Sequence, residues 1–493
     1  MPLSSLSRKQ LADVKSELTV SPIVPGAPRG VSPPSFPLWK QGASRLYVPK
    51  FYGLSKFGIN DVRVTIPDGE HLSNDVCFTG NLRPEQLEPV RAFERAAEDP
   101  GRMGGILSLP CGCGKTVLAL HIIAAIGRKT LIVVHKNFLL EQWRRRIEEF
   151  LPNARVGLIK AKTLDVEGKD VVLASLQSLS TKTYDPAVFS GFGLLVIDEV
   201  HYTGAEVFSR GLQKTNMRRS LGLSATVHRK DGMTKVFAWY IGDIVYEVKT
   251  SQDNGVRVLM LRFDDEEDLT YCEEPENQGG GLNTSRMINN VTRFAERTRF
   301  LTRQLAAVLR HNPTRKALVL SDRLDHLEDI RRRMYEDHDV RCGMYVGGMK
   351  PAALAESEKE NVILATFSFA SEGFDVPGMD TLVLASPKTD IEQSVGRILR
   401  QKPQDRRNVP LVLDIVDCFS VFEGQAKKRR SFYNKRKYEV RTVSRHREQD
   451  IDYGKLASPA GKNNDDMNNV VRKEEENEDE ELLWKKDYEF LEQ

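Results

Sequence analysis

The segment Ser108-Leu109-Pro110-Cys111-Gly112-Cys113-Gly114-Lys115-Thr116 sets a glycine-rich loop directly ahead of a lysine and a threonine, a pattern that few folds accommodate. It lies between an apolar run (Gly105 to Leu109), expected as a strand, and a helical stretch (Val117 to Ala125). A strand, a glycine loop and a helix in that order let backbone N–H groups turn inward on an anion at the helix start. Lys115 can then neutralise the β and γ groups of a nucleotide, and Thr116 can offer its hydroxyl to Mg²⁺. Leu109 stands where the strict G-x-x-x-x-G-K-[ST] pattern has its first glycine.

About 80 residues further on, Leu194-Leu195-Val196-Ile197-Asp198-Glu199-Val200-His201 reads as an apolar strand ending in two adjacent carboxylates. Paired with a phosphate loop, that form implies Asp198 as a Mg²⁺ ligand and Glu199 as the general base that deprotonates the attacking water. A single acidic residue ending a strand is commonly only a turn cap. Two carboxylates paired with such a loop fit the catalytic reading better.

Around these motifs the chain is long enough for several domains: 493 residues, with 40% apolar and 29% charged residues and a mean hydropathy of −0.41. No stretch approaches the roughly 20 apolar residues of a membrane span, and the start lacks a secretory signal, so a soluble intracellular protein without membrane contact is expected. The net charge of +3 does not by itself announce a nucleic-acid binder. The six cysteines show no paired C-x2-C spacing and are read as reduced thiols. Cys111 and Cys113 could form half of a metal or redox site, but they have no partner pair.

Residues 1–44, rich in Pro and Ser, are expected to be a mobile arm, and 45–81 a small β-rich appendage. From 82 to 255 apolar strands (Thr130 to Val134, Asp170 to Ala174, Leu194 to Ile197) alternate with amphipathic helices, the pattern of a parallel sheet covered on both faces. Residues 256–290, with an acidic run and Gly279-Gly280-Gly281, read as a linker. A second α/β lobe spans 291–440 on strands at Ala317 to Leu320, Val362 to Ala365, Thr381 to Leu384 and Leu411 to Val416. Residues 441–493 form a charged tail of the composition that stays disordered. The basic stretch Lys427 to Lys437, with Phe432, Tyr433 and Tyr438, admits two readings: a grip on a nucleic-acid strand, or a helix packed on the second lobe.

Pro110 to Thr116, Asp198 to His201, Ser224-Ala225-Thr226 and Gln393 to Arg400 resemble, in order and spacing, motifs I, II, III and VI of the superfamily 2 DExH-box helicases, over roughly residues 82 to 440. The resemblance implies two tandem RecA-like lobes that use ATP and Mg²⁺, with ATP bound by Gln86, Pro110, Cys111, Gly112, Cys113, Gly114, Lys115, Thr116, Gly373 and Asp375. It gives Gln86 the task of reading adenine, against the plainer reading of a surface glutamine. It makes Arg397 and Arg400 arginine-finger candidates, three apart on one helix face, and His201, Ser224, Ala225, Thr226 and Gln393 coupling residues. Lys136, Arg229 and Thr366 are the implied nucleic-acid contacts, Lys136 lying in a segment (His135-Lys136, Glu141-Gln142-Trp143) that resembles motif Ia.

Leu-Pro-Cys-Gly in the loop, Arg229-Lys230-Asp231 and the Phe422 to Tyr438 stretch resemble the xeroderma pigmentosum group B branch, where Arg-Glu-Asp replaces Arg-Lys-Asp. Tyr47 to Leu54 is similar to the entry segment of helicases from large nucleocytoplasmic DNA viruses, including the poxvirus transcript-release helicase. These likenesses imply a viral, 3′ to 5′ DNA helicase or double-stranded DNA translocase without sequence specificity. It would act with the transcription machinery or in recombination and repair, in host cytoplasm or nucleus, with packaging in the virion open. An RNA-directed helicase and a weakly hydrolysing nucleic-acid scaffold stand as alternatives.

Overall fold

The computed structural model describes residues 1–22, 35–58, 66–110, 112–199, 205–225, 232–248, 255–265, 268–277, 279–373, 376, 378–401 and 405–458. The chain divides into two compact units, one of residues 1–251 and 372–375 and one of residues 252–371 and 376–493.

The first unit carries an eight-stranded sheet in the order Ile244–Glu247, Gly104–Ser108, Arg219–Ser224, Leu194–Asp198, Thr130–Val134, Val171–Ser175, Val156–Lys160, Thr163–Asp165. All pairings are parallel except the last, an antiparallel edge. Alternate residues of each strand feed two cores, as the period of two requires. Leu107, Ile132, Val134 and Val196 pack with the helices Pro84–Glu98, Lys115–Ile126 and Asn137–Phe150. Ile106, Leu131, Val133 and Ile197 pack with the helices Ala205–Leu212 and Thr234–Ile241. Helices on both faces are what a buried parallel sheet needs.

The expected mobile arm is structured where it is described. A helix, Arg8–Glu17, opens on a capping box between Ser7 and Gln10, and Thr19–Val20 pairs with Phe36–Pro37. Val14, Leu18, Val20, Phe36 and Leu38 join the core of the first unit, Phe36 and Leu38 on either side of Pro37. Among its described residues the segment 45–81 contributes one short strand, Leu46–Tyr47, and departs from a β-rich appendage at 50–57; residues 59–65 lie outside the described residues. Lys50–Phe57 is a helix that buries Phe51, Tyr52 and Leu54. Its Tyr52 meets Trp239 edge to face at 5.3 Å.

Residues 66–79 form a strap across the N-terminal ends of the central strands. Asp68 pairs with Arg128 and Arg219, Lys129 with Glu70, and Ser73 donates twice to Asp170, whose other oxygen accepts from Arg155. Gly69, at φ +86°, lies so close to Gly193 that a Cβ there would sit 2.2 Å from the Gly193 nitrogen, so only glycine permits the crossing.

The second unit carries a seven-stranded, wholly parallel sheet: Cys342–Tyr345, Val362–Thr366, Ala317–Ser321, Thr381–Leu384, Leu411–Asp417, Arg257–Phe263, Glu439–Ser444. Arg257–Phe263 corrects the expected linker at 256–290. It is an inner strand whose run Val258-Leu259-Met260-Leu261 is buried on both faces, and Thr284–Arg293 is a helix. The tail is likewise ordered up to Ser458: Glu439–Ser444 closes the sheet, and the helix Tyr453–Ala457 buries Leu456 and Ala457. The rest of the expected disordered tail lies outside the described residues.

The basic stretch resolves into the packed-helix reading. On Ser420–Lys435, Phe422, Ala426, Arg429 and Tyr433 are buried, and Arg429 and Tyr433 both donate to Asp414, each at 2.9 Å. Buried charge of this kind is stable only when paired and hydrogen-bonded.

Candidate active site

The strand Gly104–Ser108 ends at the loop, and the helix Lys115–Ile126 begins directly after Gly114, which sits in the left-handed region at φ 72°. A Cβ on Gly114 would lie 2.5 Å from Gln86 Nε2 and 2.8 Å from an Arg83 nitrogen, so backbone conformation and space both demand glycine. The leading N–H groups of a helix have no partners within it, which makes this turn an anion site.

The two motifs meet because Arg219–Ser224 lies between their strands, in parallel register with both (Ser108 opposite Ser224, Asp198 opposite Leu223). Lys115 and Asp198–Glu199 therefore project from the same, C-terminal, end of the sheet. Lys115 Nζ lies 3.0 Å from Glu199 Oε1, with only 11% and 17% of the two side chains exposed. At that burial, mutual neutralisation is what makes each charge tolerable. Glu199 holds φ 50°, a left-handed backbone that a side-chain-bearing residue seldom adopts.

Asp198 is held by different partners. The indole N–H of Trp143 donates to its Oδ2 at 2.9 Å. Burial first, and then the neighbouring Glu199, push the Asp198 carboxyl up to about 6, against the opposing pull of Lys115 and the donors from Trp143 and the Glu199 backbone. Ser224 ends its strand with its carbonyl accepting from Leu109 N–H at 2.8 Å, and Ala225 follows it. Thr116 occupies the second position of the loop helix, half-buried, and Pro110 and Cys113 close a turn at 3.5 Å.

Gln86 is placed beside the loop, but its amide is occupied. Nε2 donates to the Cys113 carbonyl at 2.9 Å, and Oε1 accepts from Arg83 N–H at 2.8 Å. Arg83 adds a bond to the Gly112 carbonyl at 3.2 Å. The residue is 3% exposed, which departs from the reading of a surface glutamine: here it braces the loop. Lys136 is the N-cap of the helix Asn137–Phe150, at the C-terminal end of the Thr130–Val134 strand.

In the second unit, Gln393 and Arg397 lie on the helix Glu392–Ile398. The expectation of one helical face carrying both arginines is corrected, since the helix ends at Ile398 and Arg400 falls beyond its Leu399 cap. Thr366 ends the Val362–Thr366 strand, its hydroxyl accepting from Phe369 N–H at 3.4 Å, and Gly373 ends the helix Phe367–Gly373. Cys111, His201, Thr226, Arg229 and Asp375 lie outside the described residues. The five described cysteines are free thiols. No group of three or more His, Cys, Asp or Glu among the described residues could hold a metal, and no described helix is long and apolar enough to cross a membrane.

Residues 79–229 match the family model described as "Type III restriction enzyme, res subunit". A protein of Acanthamoeba polyphaga mimivirus named "Putative ATP-dependent RNA helicase" is 34% identical over 439 residues, 87% of this chain and 82% of its own length. The chain belongs to the superfamily 2 helicases. As a helicase it is a nucleic-acid-dependent ATPase. The helicase is also 25% identical to a protein of the same printed description from African swine fever virus, over 68% of this chain and 69% of that one. A "Putative helicase" of Invertebrate iridescent virus 3 is 31% identical over 44% of this helicase and 67% of its own length. The solved structure of T4 UvsW matches 89% of this helicase and 96% of its own chain at 18% identity, with a TM-score of 0.36.

Two residues of the site escaped sequence reasoning. Arg83 stands three before Gln86, and nothing in its spacing singles it out. Trp143 lies in the segment resembling motif Ia, and its spacing from Leu139, Leu140 and Ile147, four and three before and four after, is the helical signal that it turns inward.

Proposed function

We propose that this helicase hydrolyses ATP at Lys115, Asp198 and Glu199 and uses the cycle to move 3′ to 5′ along double-stranded DNA without reading its sequence. The observation that carries the ATPase assignment is the 3.0 Å approach of Lys115 to Glu199 beside the buried Asp198, at the mouth of a glycine loop. Asp198 and Thr116 offer a carboxylate and a hydroxyl, hard oxygen donors that suit Mg²⁺ and leave its remaining positions to phosphate and water. When bound, the ion neutralises charge building on the phosphoryl oxygens.

An incoming triphosphate competes with Glu199 for Lys115. Once Lys115 turns to the phosphates, Glu199 is released to accept a proton from the attacking water. Pro110, Cys111, Gly112, Cys113 and Gly114 supply the loop around the phosphates, and Gly373 and Asp375 complete nucleotide binding. Arg397 and Arg400 provide positive charge to the transferring phosphoryl group. His201, Ser224, Ala225, Thr226 and Gln393 link that chemistry to Lys136, Arg229 and Thr366, which contact backbone phosphates.

The DNA assignment, and a place in viral transcript release or recombination and repair, rest on the likeness to the xeroderma pigmentosum group B branch. The printed names of the mimivirus and African swine fever virus relatives favour a second reading, an RNA-directed motor. Steady-state ATPase without nucleic acid, with duplex DNA, with single-stranded DNA and with RNA, using Lys115→Ala as the blank, tests both. Stimulation by duplex DNA above that by RNA supports the first reading. Equal or greater stimulation by RNA replaces it with the second, and absence of turnover above the blank overturns the ATPase assignment.

A further inference from the structure

We propose that Trp143 is a positioning residue for the metal-binding carboxylate: its indole N–H fixes Asp198 in the orientation that presents the other carboxylate oxygen to Mg²⁺. This rests on the reading of Asp198 as a metal ligand.

Trp143 is 1% exposed and lies in the middle of the Asn137–Phe150 helix, among Leu139, Leu140 and Ile147. An indole nitrogen is a donor only, and a buried one must find an acceptor. Here the acceptor is Asp198 Oδ2, at 2.9 Å and 55 residues away in sequence. Phe or Leu would fill an apolar space as well, so the indole at this spot is explained by its N–H. The terminal torsion of an aspartate is broad and weakly preferred, so an unsupported carboxylate at a strand end samples many orientations. A donor anchored in a packed helix removes that freedom on one oxygen, and the Glu199 backbone N–H adds a second hold on the same group. Ligands whose orientation is set by such outer partners typically lose roughly 10- to 100-fold in metal affinity when the partner goes.

The same helix starts at Lys136, the proposed nucleic-acid contact, about two turns before Trp143. Trp143 therefore ties Asp198 to the helix that begins there.

The test measures binding of ADP to the full chain by calorimetry, with and without Mn²⁺, and takes the ratio as the metal-linked gain. Trp143→Phe removes the N–H, and 3-benzothienylalanine incorporated at position 143 replaces N–H by sulfur in the same shape, keeping the test open where the phenylalanine variant does not fold. The expected result is a metal-linked gain reduced about tenfold, with metal-free ADP affinity unchanged in the benzothienyl protein. An unchanged gain overturns the inference. Asp198→Asn is measured in parallel: if it keeps the gain, the metal assignment of Asp198 itself fails. If it loses the gain while both Trp143 variants keep it, the positioning role alone fails.

Discussion

Lys115 and Glu199 form an ion pair at 3.0 Å across the mouth of the loop, one from the start of a helix and the other one residue past a strand end. Each residue has a second task in the proposed reaction, and the pair holds both charges in place until phosphate arrives. The left-handed backbone of Glu199 belongs with this arrangement, since unusual conformations persist where surrounding structure over-determines them.

Glu199→Gln is therefore expected to bind ATP at least as tightly as the parent chain, because Lys115 no longer has a competing carboxylate. Turnover should fall by about 10²-fold or more, the usual share of a general base. Nucleotide titration and steady-state ATPase check the two halves separately. Weaker ATP binding would count against the competition.

Gln86→Ala separates loop bracing from base reading. Loss of the bonds to Cys113 and Arg83 should raise KM for ATP by roughly 3- to 10-fold, the worth of a lost hydrogen bond or two. Because the loop holds phosphates, KM for GTP should rise by the same factor. A selective loss with ATP would show that the amide reads adenine.

Asp170 anchors the strap. Burial alone would raise its carboxyl, but the Arg155 side chain and backbone, with the Ser73 N–H and hydroxyl, hold it well below the usual carboxylate range. A carboxyl lowered by folding adds stability above its unfolded value near 4 and loses that stability as pH falls toward its lower folded value. Asp170→Asn should cost about 1–3 kcal/mol near neutral pH. Thermal melts from pH 7 to pH 2 should show the gap between variant and parent narrowing only below about pH 4.

Arg297 and Asp417 are both 0% exposed, with Arg297 donating twice to Asp417 and once to the Ala385 carbonyl. Arg297→Met leaves a buried carboxylate uncompensated and should destabilise the second unit by about 3–5 kcal/mol. Combining it with Asp417→Leu should recover a large part of that loss in denaturant unfolding. A double variant no more stable than the single would locate the cost in packing instead.

Much of the site was legible because its parts are contiguous in sequence. A glycine loop opening a helix, and two carboxylates ending an apolar run, are local patterns with one chemical use, and the strands at Thr130–Val134 and Thr381–Leu384 fall where their β-branched runs put them. Arg257–Phe263 was misplaced because its neighbours in sequence are acidic and glycine-rich, while its pairing partners, Leu411–Asp417 and Glu439–Ser444, lie far along the chain. The arm was misread for a similar reason: prolines dominate its composition, but Val14, Leu18, Phe36 and Leu38 find their core in the first unit.

The chemical groups and the local backbone that presents them, at Gly114, Lys115, Thr116, Asp198 and Glu199, are written in contiguous stretches of the chain. Which of them touch depends on the packing of distant segments. Parallel register through Arg219–Ser224 brings Lys115 to Glu199, and burial turns Trp143 toward Asp198 and Gln86 toward the loop carbonyls. The physical reason is that a side chain's partner is set by what surrounds it once water is excluded, and those surroundings come from strands and helices distant in the chain.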